Sequence, residues 1–129
     1  MKTAFLVSLV LLSTTSMNER GVSGQWVVSQ DRDFRGNRGK PTECTFQQQH
    51  DALAVRCTAA GAMTGEVHGT QVTWGADRTD IPPIVKDHLF LKYSGELNGS
   101  RDTIKGKWSL KSQVSGIDER GTFEAKRKS

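Results

Sequence analysis

The sequence predicts an all-β chain that closes into an eight-stranded antiparallel up-and-down β-barrel, and three observations predict it. Short runs alternate apolar and polar residues at the two-residue period of a strand, as in Gly24-Gln25-Trp26-Val27-Val28 and Thr122-Phe123-Glu124-Ala125. Thirteen glycines accompany few segments with the period of a helix. Tight turns between successive runs alternate with longer links, so one end of a meander is closed by turns and the other is ringed by loops. Closing such a meander removes both exposed sheet edges.

Residues 1–16 read as a secretory leader. Lys2 supplies the positive start, Ala4 to Leu12 the apolar run, and Ser13-Thr14-Thr15-Ser16 the small residues for cleavage. The run of nine is too short to span a bilayer. A secreted or periplasmic chain is therefore expected, with residues 17–23 as a tail and 24–129 as a single barrel domain. Losing Lys2 lowers the formal net charge from +4 to +3, which suits solubility and does not point to nucleic acid.

The first strand is expected over residues 24–29, with Gly24, Trp26 and Val28 on one face. The second and third form a hairpin in the stretch 43–58. A turn at His50-Asp51 sets Cys44 against Cys57, Phe46 against Val55 and Gln48 against Leu53, all on one face. Two cysteines opposed in an exported chain favour a disulfide. Closing a loop of about 14 residues is worth roughly 3 kcal/mol in the chain-entropy account.

The fourth and fifth strands are expected near 64–68 and 71–74. Gly69-Thr70 makes the turn and Gly65 faces Trp74. The sixth and seventh, near 88–97 and 103–111, flank Asn98-Gly99, the strongest hairpin signal in the chain. A tight turn there opposes Tyr93 to Ile104, Leu91 to Gly106 and Leu89 to Trp108. The last strand, near 122–127, places Phe123, Ala125 and Arg127 on one face. Links at 30–42, 75–87 and 112–121 are long and lie at one end.

Gly24-Gln25-Trp26 at the first strand, Arg127 in the last and the eight-strand meander between them resemble the calycin superfamily of lipocalins, fatty-acid-binding proteins and avidins. In lipocalins a Gly-x-Trp tryptophan packs under an arginine of the last strand and plugs the closed end. The resemblance implies that role for Trp26 and Arg127. It covers roughly residues 24–127, and the chain is nearer an avidin than a lipocalin in size.

Eight strands make a barrel just wide enough for a filled core or one small ligand. Val28, Trp74, Leu89 and Trp108 point inward near the loops, with Phe123 beside them and Tyr93 deeper. Phe34 stands in the first long loop, where it could cover the mouth. Inward Gly65 and Gly106 leave room. Such a lining, apolar with a phenol as polar handle, suits a small hydrophobic or aromatic ligand. The same residues also suit a packed core. In that case the basic loop 30–42, with Arg32, Arg35, Arg38 and Lys40, becomes the contact for an acidic protein partner.

Catalysis is not expected. No Gly-x-Ser-x-Gly, His-Glu-x-x-His or phosphate-loop pattern occurs, and paired cysteines leave no thiol nucleophile. His50, His68 and His88 share no metal-ligand spacing, so neither a metal nor a cofactor is expected. Asp31-Arg32-Asp33 resembles the start of a calcium loop, but Arg35 stands where a carboxylate or amide is needed and Thr42 where the closing glutamate is.

Overall fold

The computed structural model describes residues 21–32, 38–58, 60–78, 89–113 and 116–128. The expected leader over 1–16, Phe34, Arg35 and His88 lie outside them. The strands are β1 (Gly24–Gln30), β2 (Thr42–Gln49), β3 (Ala52–Cys57), β4 (Gly61–His68), β5 (Gln71–Arg78), β6 (Leu89–Leu97), β7 (Thr103–Ser112) and β8 (Asp118–Arg127). They pair antiparallel in chain order, and β8 closes on β1. The all-β, eight-stranded, up-and-down barrel expected from the pattern is the fold of this chain.

Each tight turn has a local cause. His50, at φ 58°, opens the two-residue turn between β2 and β3, and Gly69, at φ 64°, opens the one between β4 and β5. Cys44 pairs with Cys57 and Phe46 with Val55 in the first hairpin. Val67 pairs with Val72 and Gly65 with Trp74 in the second. The cysteine sulfurs are 2.02 Å apart, a disulfide bridging neighbouring strands.

The third hairpin departs from expectation. Leu97 pairs with Ile104, Gly95 with Gly106, Tyr93 with Trp108 and Leu91 with Leu110. A two-residue turn at Asn98-Gly99 is therefore replaced by a wider loop. The cause is the Asn98 side chain, whose Oδ1 accepts from the backbone N–H of Asp102 at 3.0 Å and of Thr103 at 3.1 Å. The Asn98 carbonyl also accepts from Arg101 N–H at 3.1 Å, and Arg101 takes φ 63°. The Asp102 carboxylate holds the loop from the other side, accepting from Asn98 Nδ2 at 2.8 Å and Ser100 Oγ at 3.1 Å. Those hydrogen bonds and one from Thr103 hold its carboxyl below the usual aspartate range.

The expected faces survive the change because the slip is an even number of residues. Leu91, Tyr93, Gly95 and Leu97 still share a face with Ile104, Gly106, Trp108 and Leu110. The interior is one continuous cluster including Trp26, Val28, Phe46, Leu53, Val55, Met63, Val72, Trp74, Tyr93, Ile104, Trp108, Phe123 and Ala125.

The stagger of the barrel follows from its registers. Opposed residues run from Val22 through Gln48, Leu53, Gly65, Trp74, Tyr93, Trp108 and Gly121 to Arg32, with β1 carried two residues past each end. One circuit thus advances about ten residues. Roughly 33 Å of stagger along the strands over roughly 38 Å of sheet measured across them tilts the strands by about 40°.

Residues 21–23 are not a free tail. Val22 is fully buried, and its carbonyl accepts from Trp26 Nε1 at 2.8 Å. Gln48 N–H donates to Ser23 Oγ at 2.9 Å, tying the segment to β2. The short lead-in folds across the turn end because Trp26 and Arg127 both seek its carbonyls.

Candidate functional site

The closed end is built around Trp26. Arg127 lies opposite it in the β1–β8 register, with the guanidinium carbon 4.6 Å from the indole centroid. That guanidinium donates to the carbonyls of Ser23 at 2.7 Å, Gly21 at 2.8 Å and Arg101 at 3.1 Å. Desolvation and the neighbouring Arg101 lower its pKa, and the Asp102 charge opposes them. Trp26 stacks on Phe46 at 5.5 Å between ring centroids.

The expected ligand-lining residues converge, and they pack on one another. Trp74 stacks on Tyr93 at 5.1 Å with planes 11° apart, and Phe123 meets both edge-on at 5.2 and 5.4 Å. Phe46 reaches Trp74 at 5.0 Å and joins this group to the closed-end pair. Val28, Trp74, Tyr93, Trp108 and Phe123 are all buried, while Leu89 is half-buried and packs against the cluster from the rim. Phe34, the expected cover of the mouth, lies outside the described residues.

The inward glycines do not open space. A Cβ on Gly65 would collide with the Thr73 carbonyl oxygen, and one on Gly106 with that of Ser94. At both positions the neighbouring strand's backbone occupies the place of a side chain. Trp108 is opposed by Tyr93 and by Gly121, not by Leu89 as expected. A Cβ on Gly121 would stand 2.6 Å from Trp108 Nε1, so this glycine makes room for the indole.

Polar groups close the loop end. The Tyr93 hydroxyl donates to Gln30 Oε1, and burial pushes the phenol above its ordinary range. Trp108 Nε1 donates to Asp31 Oδ1 at 3.1 Å, and the same oxygen accepts from Thr122 N–H at 3.0 Å. Desolvation works to raise the Asp31 pKa, but the hydrogen bonds from Trp108 and Thr122, with Arg32 nearby, leave it lowered. Asp31 is thus occupied as an anchor of β8 and Trp108. Among the described residues no group of three His, Cys, Asp or Glu could hold a metal ion.

Arg32, expected as a loop cation for a partner, is engaged within the chain. It lies 5.8 Å from the Trp108 ring centroid, pairs with Glu119 at 3.6 Å and donates to the Arg120 carbonyl. Gln30 Nε2 donates to the Arg32 carbonyl at 3.1 Å, and a Cβ on Gly39 would stand 2.6 Å from the Gln30 carbonyl oxygen. Gly39 thus lies against the base of the loop at Gln30, with Arg38 and Lys40 exposed to either side of it.

Sequence reasoning missed Val22 and Gln30, and it weighed Asp31 as a calcium ligand where the structure makes it an anchor for Trp108 and Thr122. Gln30 was findable: it continues the inward series of Trp26 and Val28 to the rim, where a polar side chain can meet a phenol. Val22 carries no such sign, because its burial depends on the chain turning across the barrel end. Comparison with family models, with curated proteins and with solved structures finds no match.

Proposed function

We propose that the protein is an exported binding module that engages a protein partner from its surface through loop 30–42, and not a carrier of a small molecule inside the barrel. The observation that carries this reading is the packed interior. Trp74, Tyr93 and Phe123 are in mutual ring contact where a ligand would lie, and the glycines beside them are filled by backbone. Two clefts among the described residues, one bordered by Gln25, Thr45 and Arg56 and the other by Lys92, Lys107 and Arg120, lie on the outside of the barrel wall.

The loop supports the reading by its construction. Its base is pinned by Arg32 on Trp108 and by the approach of Gly39 to Gln30. A pinned base spends less conformational entropy on binding than a free loop does. Arg38 and Lys40 emerge from it exposed and suit acidic groups on a partner. Export is supported by the leader-like residues 1–16 and by the disulfide, which persists in oxidising compartments. A calycin-like ancestry rests on Gly24-Gln25-Trp26 and on Arg127 over the indole.

The test is affinity capture from the native extracellular or periplasmic fraction with wild type and with Arg38→Glu/Lys40→Glu. A partner lost from the double variant supports the reading, and an unchanged partner set refutes it. Tryptophan fluorescence against a panel of lipids and aromatic metabolites tests the carrier function. A saturable change centred on Trp74 would restore it.

A further inference from the structure

The outer wall of β6, β7 and β8 carries a cluster that the loop reading does not use. Lys92 on β6 is opposed by Ser109 on β7, and Ser109 by Arg120 on β8. Lys107 and Lys111 stand two residues to either side of Ser109 on the same strand. Ser109 is therefore the centre of a diamond of four cations. Its backbone diagonals are about 10 Å across the strands and about 13 Å along β7, within reach of long side chains converging above the hydroxyl. These residues and Ser94 line a shallow cleft of about 310 Å³.

Asp118 pairs with Arg120 at 3.3 Å, and among the described residues no carboxylate pairs with Lys92, Lys107 or Lys111. The outward charges of β2, β3 and β4 are Arg56 against Glu43 and Glu66, set among uncharged Thr45, Gln47, Ala54, Ala62 and Thr64, so the net positive field belongs to the β6–β8 side of the barrel.

A second observation lies at the edge of the same cluster. Phe90, 43% exposed, and Ile117, 38% exposed, are the large hydrophobic residues exposed among those described. Phe90 is opposed by Lys111, and the Ile117 carbonyl accepts from Ser112 N–H at 2.9 Å. Both therefore stand at the loop-end rim of the three strands that carry the cations. A free anion would use the diamond alone. A surface with phosphates outside and hydrocarbon beneath uses both features.

We propose that this wall docks on an anionic phospholipid surface. Lys92, Lys107, Lys111 and Arg120 take headgroup phosphates, the Ser109 and Ser94 hydroxyls donate beside them, and Phe90 and Ile117 enter the headgroup layer. Each cation near such a surface strengthens binding about fivefold, and added salt removes the gain. The base of loop 30–42 meets β8 where Arg32 pairs with Glu119 and reaches the Arg120 carbonyl, but the two readings use different cations, Arg38 and Lys40 in one and Lys92, Lys107, Lys111 and Arg120 in the other, so either can fail alone.

Vesicle co-sedimentation with the purified chain tests the proposal. Vesicles of phosphatidylglycerol and phosphatidylcholine are compared with phosphatidylcholine alone, and circular dichroism confirms that each variant is folded. Binding is expected only to the anionic vesicles. Lys92→Glu/Lys107→Glu should weaken it more than tenfold, and Phe90→Ser/Ile117→Ser several-fold. Equal binding to both vesicle types, or indifference to the charge reversal, overturns the proposal. Indifference to Phe90→Ser/Ile117→Ser, or displacement by millimolar inorganic phosphate, overturns the lipid assignment in favour of a free-anion site. No vesicle binding at all overturns it in favour of an acidic protein partner.

Discussion

Replacing Trp74 with alanine removes the indole that joins the two aromatic groups of the interior. Trp74 is buried and contacts Phe46, Tyr93 and Phe123 at centroid distances of 5.0, 5.1 and 5.2 Å. Truncating a large buried aromatic costs about 3–5 kcal/mol when its surroundings cannot collapse into the void. Collapse is limited here, because Gly65 on one side already abuts the backbone of its neighbour. The loss is a large fraction of a total stability of about 5–15 kcal/mol. With a urea slope of about 1.5 kcal/mol per molar, the midpoint should fall by roughly 2–3 M. Trp26→Ala and Trp108→Ala, measured the same way, should show losses of similar size, with Trp108→Ala also releasing Asp31. Urea curves followed by far-ultraviolet circular dichroism are the assay, since the variants change the fluorescence itself. A loss under about 1 kcal/mol for Trp74→Ala beside a large loss for Trp26→Ala would refute the packed interior and return the carrier reading.

Reduction of Cys44–Cys57 should lower stability by about 2–5 kcal/mol, and thiol counting on unfolded, unreduced protein should find no free thiol. Asn98→Ala should cost about 1 kcal/mol, from two backbone N–H groups losing their acceptor, and a chemical-denaturation series reads it directly. Gly121→Val drives a branched side chain into Trp108 and Asp31 and should cost about 1–3 kcal/mol or more; a neutral result would mean that the indole is not held there. The His68 pKa is raised from 6.5, first by its hydrogen bond to Glu66, which outweighs the opposing desolvation, with the charges of Asp51 and Glu66 adding to it. Its small stabilisation is therefore fully present below pH 6.5 and fades as pH rises through the higher folded value. An NMR titration should place the His68 midpoint above 6.5, and Glu66→Gln should bring it down.

Most of the architecture was legible because side-chain alternation and turn chemistry agree along the chain. His50-Asp51 and Gly69-Thr70 each set a register that the paired residues also demand. At Asn98 two signals competed. Asn-Gly favours a two-residue turn, yet the asparagine side chain caps a wider loop that closes at Thr103. The apolar check could not tell these apart, since it tests only which face a residue occupies. A slip of an even number of residues keeps every face and changes every partner. The inward set was therefore right while Leu89 was set opposite the wrong residue. Val22 and the pinned base of loop 30–42 were illegible for a different reason. Both depend on contacts between segments far apart in sequence, such as Arg32 with Trp108, that no local pattern announces.

An inward glycine on a barrel strand is open to two physical readings, and function turns on the choice. It leaves volume for a ligand, or it lets an adjacent backbone come closer than any side chain permits. Gly65 and Gly106 take the second course, and Gly121 takes a third by housing an indole of the protein itself. A barrel staggered by about ten residues over eight strands has a narrow interior, and Trp26, Trp74 and Trp108 with Phe46, Tyr93 and Phe123 occupy it. Once the interior is spent on stability, what remains free to vary is the outside: the pinned loop with Arg38 and Lys40, and the wall with Ser109 among four cations. Exposed positions there can change without the cavity penalty that guards the core, which is why binding is sought on those surfaces.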